Sequence, residues 1–169
     1  MDLKKRWLAL VVGLTIVGAG PAAAQLDAGL PLGSKAPLIA INDLDGKPLE
    51  LAGLIGKKPV MLEFWATWCA VCKALLPKVE QVHARFGEQI SIVGVNITVN
   101  ESKERVRRYL DVHKPPFIAL YDDKGAGSRA YDVPTTGFIV IIDRLGKIAY
   151  TGSGEDQDLV GEMAKVIAR

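Results

Sequence analysis

The chain's two cysteines stand three residues apart, in Trp68-Cys69-Ala70-Val71-Cys72, where one sequence pattern gives way to another. Before them, residues 59–65 form an almost continuous apolar run (Val60-Met61-Leu62-Glu63-Phe64), the pattern of a strand buried on both faces. After them, residues 70–86 place Ala74, Leu75, Val79, Val82 and Phe86 near helical spacing. Pro77 interrupts the backbone ladder of that stretch, which predicts one kinked helix. A buried strand running straight into an amphipathic helix points to a sheet covered by helices.

The same alternation continues on either side. Leu38-Ile39-Ala40-Ile41 and Pro48-Leu49-Glu50-Leu51 flank Asn42-Asp43-Leu44-Asp45-Gly46-Lys47, predicting an N-terminal β-hairpin that turns at Asp45-Gly46. Residues 91–97 read as a second buried strand, 101–112 as a polar helix and 117–121 as a short strand entered from Pro115-Pro116. Residues 138–142 form a long apolar strand, Asp143-Arg144-Leu145-Gly146 turns it, and residues 147–151 return. A helix over 155–168 closes the chain. Strands alternating with helices give an α/β fold with both faces of the sheet covered.

The 169 residues suffice for one domain of ordinary size, expected over 37–169. Residues 1–24 read as a secretory signal. Lys4, Lys5 and Arg6 form a basic start, an apolar stretch follows to Ala19, and Ala22-Ala23-Ala24 offers small residues for cleavage before Gln25. The alternative is an uncleaved membrane anchor, but Gly13, Gly18, Gly20 and Pro21 dilute a run shorter than the roughly 20 residues of a comfortable span. With no cysteine near its end, the segment is not a lipoprotein signal. Residues 25–36, rich in Gly, Pro and Ser without period, read as a tether. The expected location is the periplasm or another extracytoplasmic compartment.

Loss of residues 1–24 removes three basic side chains and one acidic one, which takes the net charge of +2 to zero. A balanced domain argues against a nucleic-acid binder, which would carry a basic excess on one face. The cluster Lys103-Glu104-Arg105 with Arg107-Arg108 contains interspersed acid and reads as a solvated helix face.

A cysteine at the start of a helix meets unpaired backbone N–H groups and the positive end of the helix dipole, which stabilise its thiolate. A second cysteine three residues on lies one turn away on the same side, within bonding reach. Cys69 and Cys72 are therefore the candidate redox pair, with Cys69 expected to be exposed and Cys72 buried. Zinc would need about four ligands, and the histidines, His83 and His113, sit on polar helical stretches where solvation accounts for them. A purely structural disulfide closing so short a loop would stabilise the fold by only about 2 kcal/mol. A peroxiredoxin-type peroxidase needs Thr or Ser three residues before its cysteine, where this chain has Ala66.

Phe64-Trp65-Ala66-Thr67-Trp68-Cys69-Ala70-Val71-Cys72-Lys73 resembles the active-site segment of thioredoxins, and most closely that of the exported TlpA/ResA-like branch. Gly33-Ser34-Lys35-Ala36-Pro37 and Tyr131-Asp132-Val133-Pro134-Thr135-Thr136 extend the resemblance to about residues 33–160. It implies a thioredoxin-like α/β fold with an N-terminal β-hairpin and an extra helix–strand insertion at about 101–121. It places Glu63, six residues before Cys69, where thioredoxins keep a buried acid behind the second cysteine, so Glu63 is expected to take the Cys72 proton. Pro77 matches the family's helix-kink proline.

Pro134 resembles the cis-proline that faces the disulfide, and with Thr135 and Trp68 it is expected to line the substrate groove. The spacing from Pro134 to Gly146 is about three residues longer than usual, and an ungapped count from Tyr131 would put Gly137 there; Pro134 is preferred. The resemblance implies a disulfide reductase acting on protein disulfides, in the setting of cytochrome c biogenesis. No metal or organic cofactor is expected. The implied electron donor is a membrane thiol-relay protein of the DsbD/CcdA kind, and the domain is expected to be a monomer. Two other classes stay open, a thiol peroxidase using Cys69 alone and a copper or apocytochrome carrier.

Overall fold

The computed structural model describes residues 29–169; the expected signal and the first part of the tether lie outside the described residues. A small antiparallel hairpin of β1 (Ala40–Asn42) and β2 (Pro48–Glu50) precedes the main sheet. That sheet has five strands in the order β5-β4-β3-β6-β7: β3 (Val60–Trp65), β4 (Ser91–Asn96), β5 (Ile118–Tyr121), β6 (Phe138–Ile142) and β7 (Ile148–Gly152). Strands β3, β4 and β5 run parallel, while β6 and β7 are antiparallel to their neighbours. The helices are α1 (Ala70–Phe86), α2 (Lys103–His113), α3 (Ala126–Ala130) and α4 (Leu159–Ile167). The hairpin and the helix–strand unit α2–β5 stand where the sequence places them.

Strand β3 is central, and all six of its residues are buried because both faces are covered. Val60, Leu62 and Phe64 point into one layer with Val93, Val95, Val140 and Ile142, closed by Ile41, Leu51 and Tyr131. Met61 points to the opposite layer, with Ile139 and Ile141, under α1 and α4. The buried positions of α1, Cys72, Leu75, Val79, Val82 and Phe86, alternate steps of three and four and so make a single stripe. Leu159, Met163 and Val166 do the same for α4.

One local device is used twice. In Asp43-Leu44-Asp45-Gly46-Lys47 the Asp43 carboxylate accepts from the backbone N–H groups of Asp45 and Lys47, both at 2.9 Å. In Asp143-Arg144-Leu145-Gly146-Lys147 the Asp143 carboxylate accepts from Leu145 at 2.8 Å and Lys147 at 2.9 Å. An Asp that bonds its own downstream backbone, followed by a glycine at positive φ (+85° at Gly46, +73° at Gly146), closes each turn.

Residues 33–36 of the expected tether lie along the outer edge of β7. Gly33 N–H donates to the Ile148 carbonyl at 2.7 Å, Ile148 N–H to Ser34 at 2.9 Å and Ala36 N–H to Gly146 at 2.9 Å. This part of the segment therefore belongs to the domain and covers an otherwise open strand edge. Helix α3, which no local pattern predicts, has Gly125 as its N-cap, and the carboxylate of buried Asp122 upstream accepts from the first-turn N–H groups of Gly127 (3.0 Å) and Ser128 (2.8 Å).

Candidate functional site

Strand β3 ends at Trp65, and a short turn carries the chain to Cys69, the N-cap of α1. Cys69 and Cys72 are joined by a disulfide, their Cα atoms 5.3 Å apart. The Cys69 Sγ also accepts from the Cys72 backbone N–H at 3.0 Å. The first sulfur thus sits on the unpaired N–H groups and positive dipole end of a 17-residue helix, where a thiolate released by reduction is stabilised.

Cys69 is not the exposed member of the pair in this oxidised state: it is 3% exposed and Cys72 4%. The helix-capping bond and the bond to Cys72 draw the Cys69 sulfur inward. The exposed neighbour is instead Trp68, at 46%. Its indole N–H donates to the Val99 carbonyl at 2.8 Å. The turn is held from the same side by Glu101, whose carboxylate accepts from Thr67 N–H at 2.6 Å. The tie between this loop and the CxxC turn spans more than 30 residues of sequence and follows no local pattern.

Glu63 shares its β3 face with Trp65, two residues on, and is 3% exposed. Its neighbours across the sheet are Gly94 and Ile139, and the Phe117 ring lies over Gly94 where a side chain would otherwise be. Phe117 and Tyr109 pack on Trp65 with ring centroids 5.5 and 5.1 Å away. In these apolar surroundings burial penalises the charged carboxylate and pushes its pKa from 4.5 up to about 8.

The expected cis-proline at Pro134 is a correction. All peptide bonds among the described residues are trans, and Pro134 and Thr135 are exposed in the loop before β6. Gly137 occupies the position against the CxxC turn: it is buried, its N–H donates to the Phe64 carbonyl at 2.8 Å, and a Cβ there would lie 2.6 Å from Val71 Cγ1. The register decides this. Phe138 pairs with Phe64, so the residue before Phe138 falls at the active end of β3, and Pro134 is three residues short of it. His83 and His113 are both exposed.

A thioredoxin-like fold presenting a bonded Cys-x-x-Cys pair at a helix start is suited to exchanging its disulfide with others. The Redoxin family matches residues 31–167. The thioredoxin-like protein YneN of Bacillus subtilis is 32% identical over 168 residues, covering 95% of this chain and 93% of that protein. The thiol-disulfide oxidoreductase ResA of the same organism is 35% identical over 123 residues, covering 72% of this chain and 67% of that protein. Among solved structures, the thioredoxin domain of the thiol-disulfide oxidoreductase BVU-2223 from Bacteroides vulgatus superposes with a TM-score of 0.71 at 25% identity, covering 82% of this chain and 99% of that one.

Proposed function

This chain belongs to the Redoxin family, and from that premise we propose that it reduces protein disulfides outside the cytoplasm, with Cys69 as the attacking thiol and Cys72 as the resolving one. That it is a thiol–disulfide oxidoreductase of the TlpA/ResA-like type follows from the bonded Cys69–Cys72 pair together with its ResA and YneN relatives. The observation that carries the order of attack is the capping geometry: Cys69, not Cys72, sits at the N-cap of α1 with a backbone N–H on its sulfur.

In the proposed cycle the Cys69 thiolate attacks one sulfur of a substrate disulfide. A Cys69–substrate bond forms, the substrate disulfide breaks, and the other substrate sulfur leaves as a thiolate. Cys72 then passes its proton to Glu63 in the fraction of molecules whose carboxyl is ionised, a fraction that grows as pH rises toward 8, and attacks the Cys69 sulfur; the mixed disulfide breaks and the substrate leaves with both sulfurs reduced. The two electrons given up reappear as the Cys69–Cys72 bond. A carboxyl with a pKa near 8 is well matched to a thiol of ordinary pKa near 8.5, which supports Glu63 as the proton acceptor.

In this reading Trp68, next in sequence to Cys69 and exposed, lines the approach to the pair. The oxidised protein is recharged by a membrane thiol-relay protein of the DsbD/CcdA kind, a reading supported by the family resemblance. Export is supported by the basic start, apolar run and Ala22-Ala23-Ala24 of the first 24 residues. Among the described residues, no helix is long and apolar enough to cross a membrane.

Direction is tested by equilibrating the purified protein with glutathione buffers of graded ratio and quantifying the Cys69–Cys72 disulfide. The two residues between the cysteines, Ala70 and Val71, supply no charge to hold the thiolate further. A potential toward the thioredoxin value of about −270 mV is expected. A value near the DsbA potential of about −120 mV would make the protein an oxidant.

A further inference from the structure

Gly137 presses its backbone on Val71, the residue between Ala70 and Cys72, and has a φ of +72° that glycine adopts freely. A glycine has no side chain to anchor its own peptide, so whatever fixes this contact acts through its two polar backbone groups. The N–H is taken by the Phe64 carbonyl of β3. The carbonyl accepts from Gln157 Nε2 at 3.3 Å.

Gln157 is 7% exposed, and its amide is fully engaged. Nε2 donates a second bond to the Gly154 carbonyl at 2.7 Å, and Oε1 accepts from the Tyr150 hydroxyl at 3.1 Å. Gly152 leaves the room in which Tyr150 and Gln157 meet, since a Cβ there would fall 2.8 Å from Gln157 Oε1. From the other side, Lys78 of α1 donates to the carbonyls of Glu155 (2.6 Å) and Gln157 (3.1 Å). The turn between β7 and α4 is thus bonded both to the helix that carries the cysteines and to the backbone that faces them. A buried amide with both ends paired orients its partners with little freedom.

We propose that Gln157 is a positioning residue for the dithiol site: by holding the Gly137 carbonyl it keeps this backbone seated against Val71 and sets the wall that a substrate disulfide meets beside Cys69. Where a cis-proline would stiffen the wall covalently, this chain does so with a hydrogen bond from a distant turn. The proposal rests on the thiol–disulfide reading above and adds the element that restrains the substrate side.

The test is single-turnover reduction of a fluorescent disulfide peptide by the reduced protein, with rate measured against peptide concentration. Gln157→Glu keeps the acceptor for Tyr150 but turns an oxygen toward the Gly137 and Gly154 carbonyls. The half-saturating concentration is expected to rise about five- to tenfold, the size of one lost buried hydrogen bond. The limiting rate and the rate of Cys69 alkylation by iodoacetamide should stay within about twofold, since the thiol itself is untouched. An unchanged half-saturating concentration, or an equal loss in alkylation rate, overturns the proposal. Should this variant not fold, Tyr150→Phe removes only the hydroxyl that orients the amide: a rise of about twofold is expected, and no rise refutes the assignment. Parent protein that reduces no peptide disulfide would instead overturn the thiol–disulfide reading, and the proposal with it.

Discussion

Glu63→Gln is expected to make the oxidised protein more stable, by an amount that grows with pH. In the folded state Glu63 keeps its proton up to about pH 8 because burial penalises the carboxylate. In the unfolded chain it releases that proton near pH 4.3. Between these values the folded state binds one proton more than the unfolded chain, so each step up in pH favours unfolding, by at most about 1.4 kcal/mol per unit. The favourable contribution of the neutral carboxyl is fully present below about pH 4.3 and is lost progressively until about pH 8.

Glutamine cannot ionise and lacks that slope. Urea unfolding at several pH values should therefore show the two proteins close together at pH 4.5 and the variant ahead by roughly 2–5 kcal/mol at pH 8.5. A difference that stays constant with pH would mean that Glu63 is not titrating from inside the fold, and would remove the basis for its acceptance of the Cys72 proton. A group that costs this much stability at neutral pH and above, in the strand next to the redox pair, fits a functional role better than a packing one.

Gly137→Ala should be among the most damaging single-methyl changes in the chain. Two costs combine: an L-residue at φ +72° loses about 1–2 kcal/mol, and a Cβ forced to 2.6 Å from Val71 adds about 1–3 kcal/mol of overpacking. Gly46→Ala is the internal reference, since Gly46 has φ +85° but nothing within 4 Å of its would-be Cβ, so only the backbone cost applies. Unfolding midpoints should place the residue 137 variant below the residue 46 variant by about 1–3 kcal/mol. Equal losses would show that Gly137 does not touch the CxxC turn as described. Truncating Val71 to Ala in the Gly137→Ala background should recover part of the loss, because it removes the nearest colliding atom.

The contrast between Pro134 and Gly137 shows what was legible in the sequence. Strand β3, the stripe of α1 and the two Asp-to-Gly turns follow from local pattern, because burial on both faces, helical spacing and side-chain-to-backbone bonds over two to four residues are all written in neighbouring positions. The residue facing the disulfide is not written locally. It depends on which residue of β6 pairs with Phe64, and a recognisable Val133-Pro134-Thr135 motif drew the reading three residues short.

Helix α3 escaped for a related reason. Its five residues, Ala126–Ala130, include glycine and serine and have little helical preference of their own, so its first turn depends on N–H groups bonded to the Asp122 carboxylate upstream of the Gly125 N-cap. Glu101 on Thr67, Val99 on Trp68 and Gln157 on Gly137 join parts of the chain between 20 and 34 residues apart. A helix start predicts a solvent-facing Cys69 thiol; in the oxidised state the structure differs, because the bonded sulfur is turned onto the helix itself.

Trapping the mixed disulfide tests the assignment of Cys69 and Cys72 most directly. In a Cys72→Ser variant the resolving step has no thiol, so incubation of the reduced protein with a disulfide peptide should yield a covalent complex bearing one peptide chain, with fragmentation placing the bond at Cys69. The Cys69→Ser variant should form little or none under the same conditions. Failure of Cys72→Ser to accumulate any adduct, or an adduct forming as readily on Cys72 in the Cys69→Ser variant, would contradict the account.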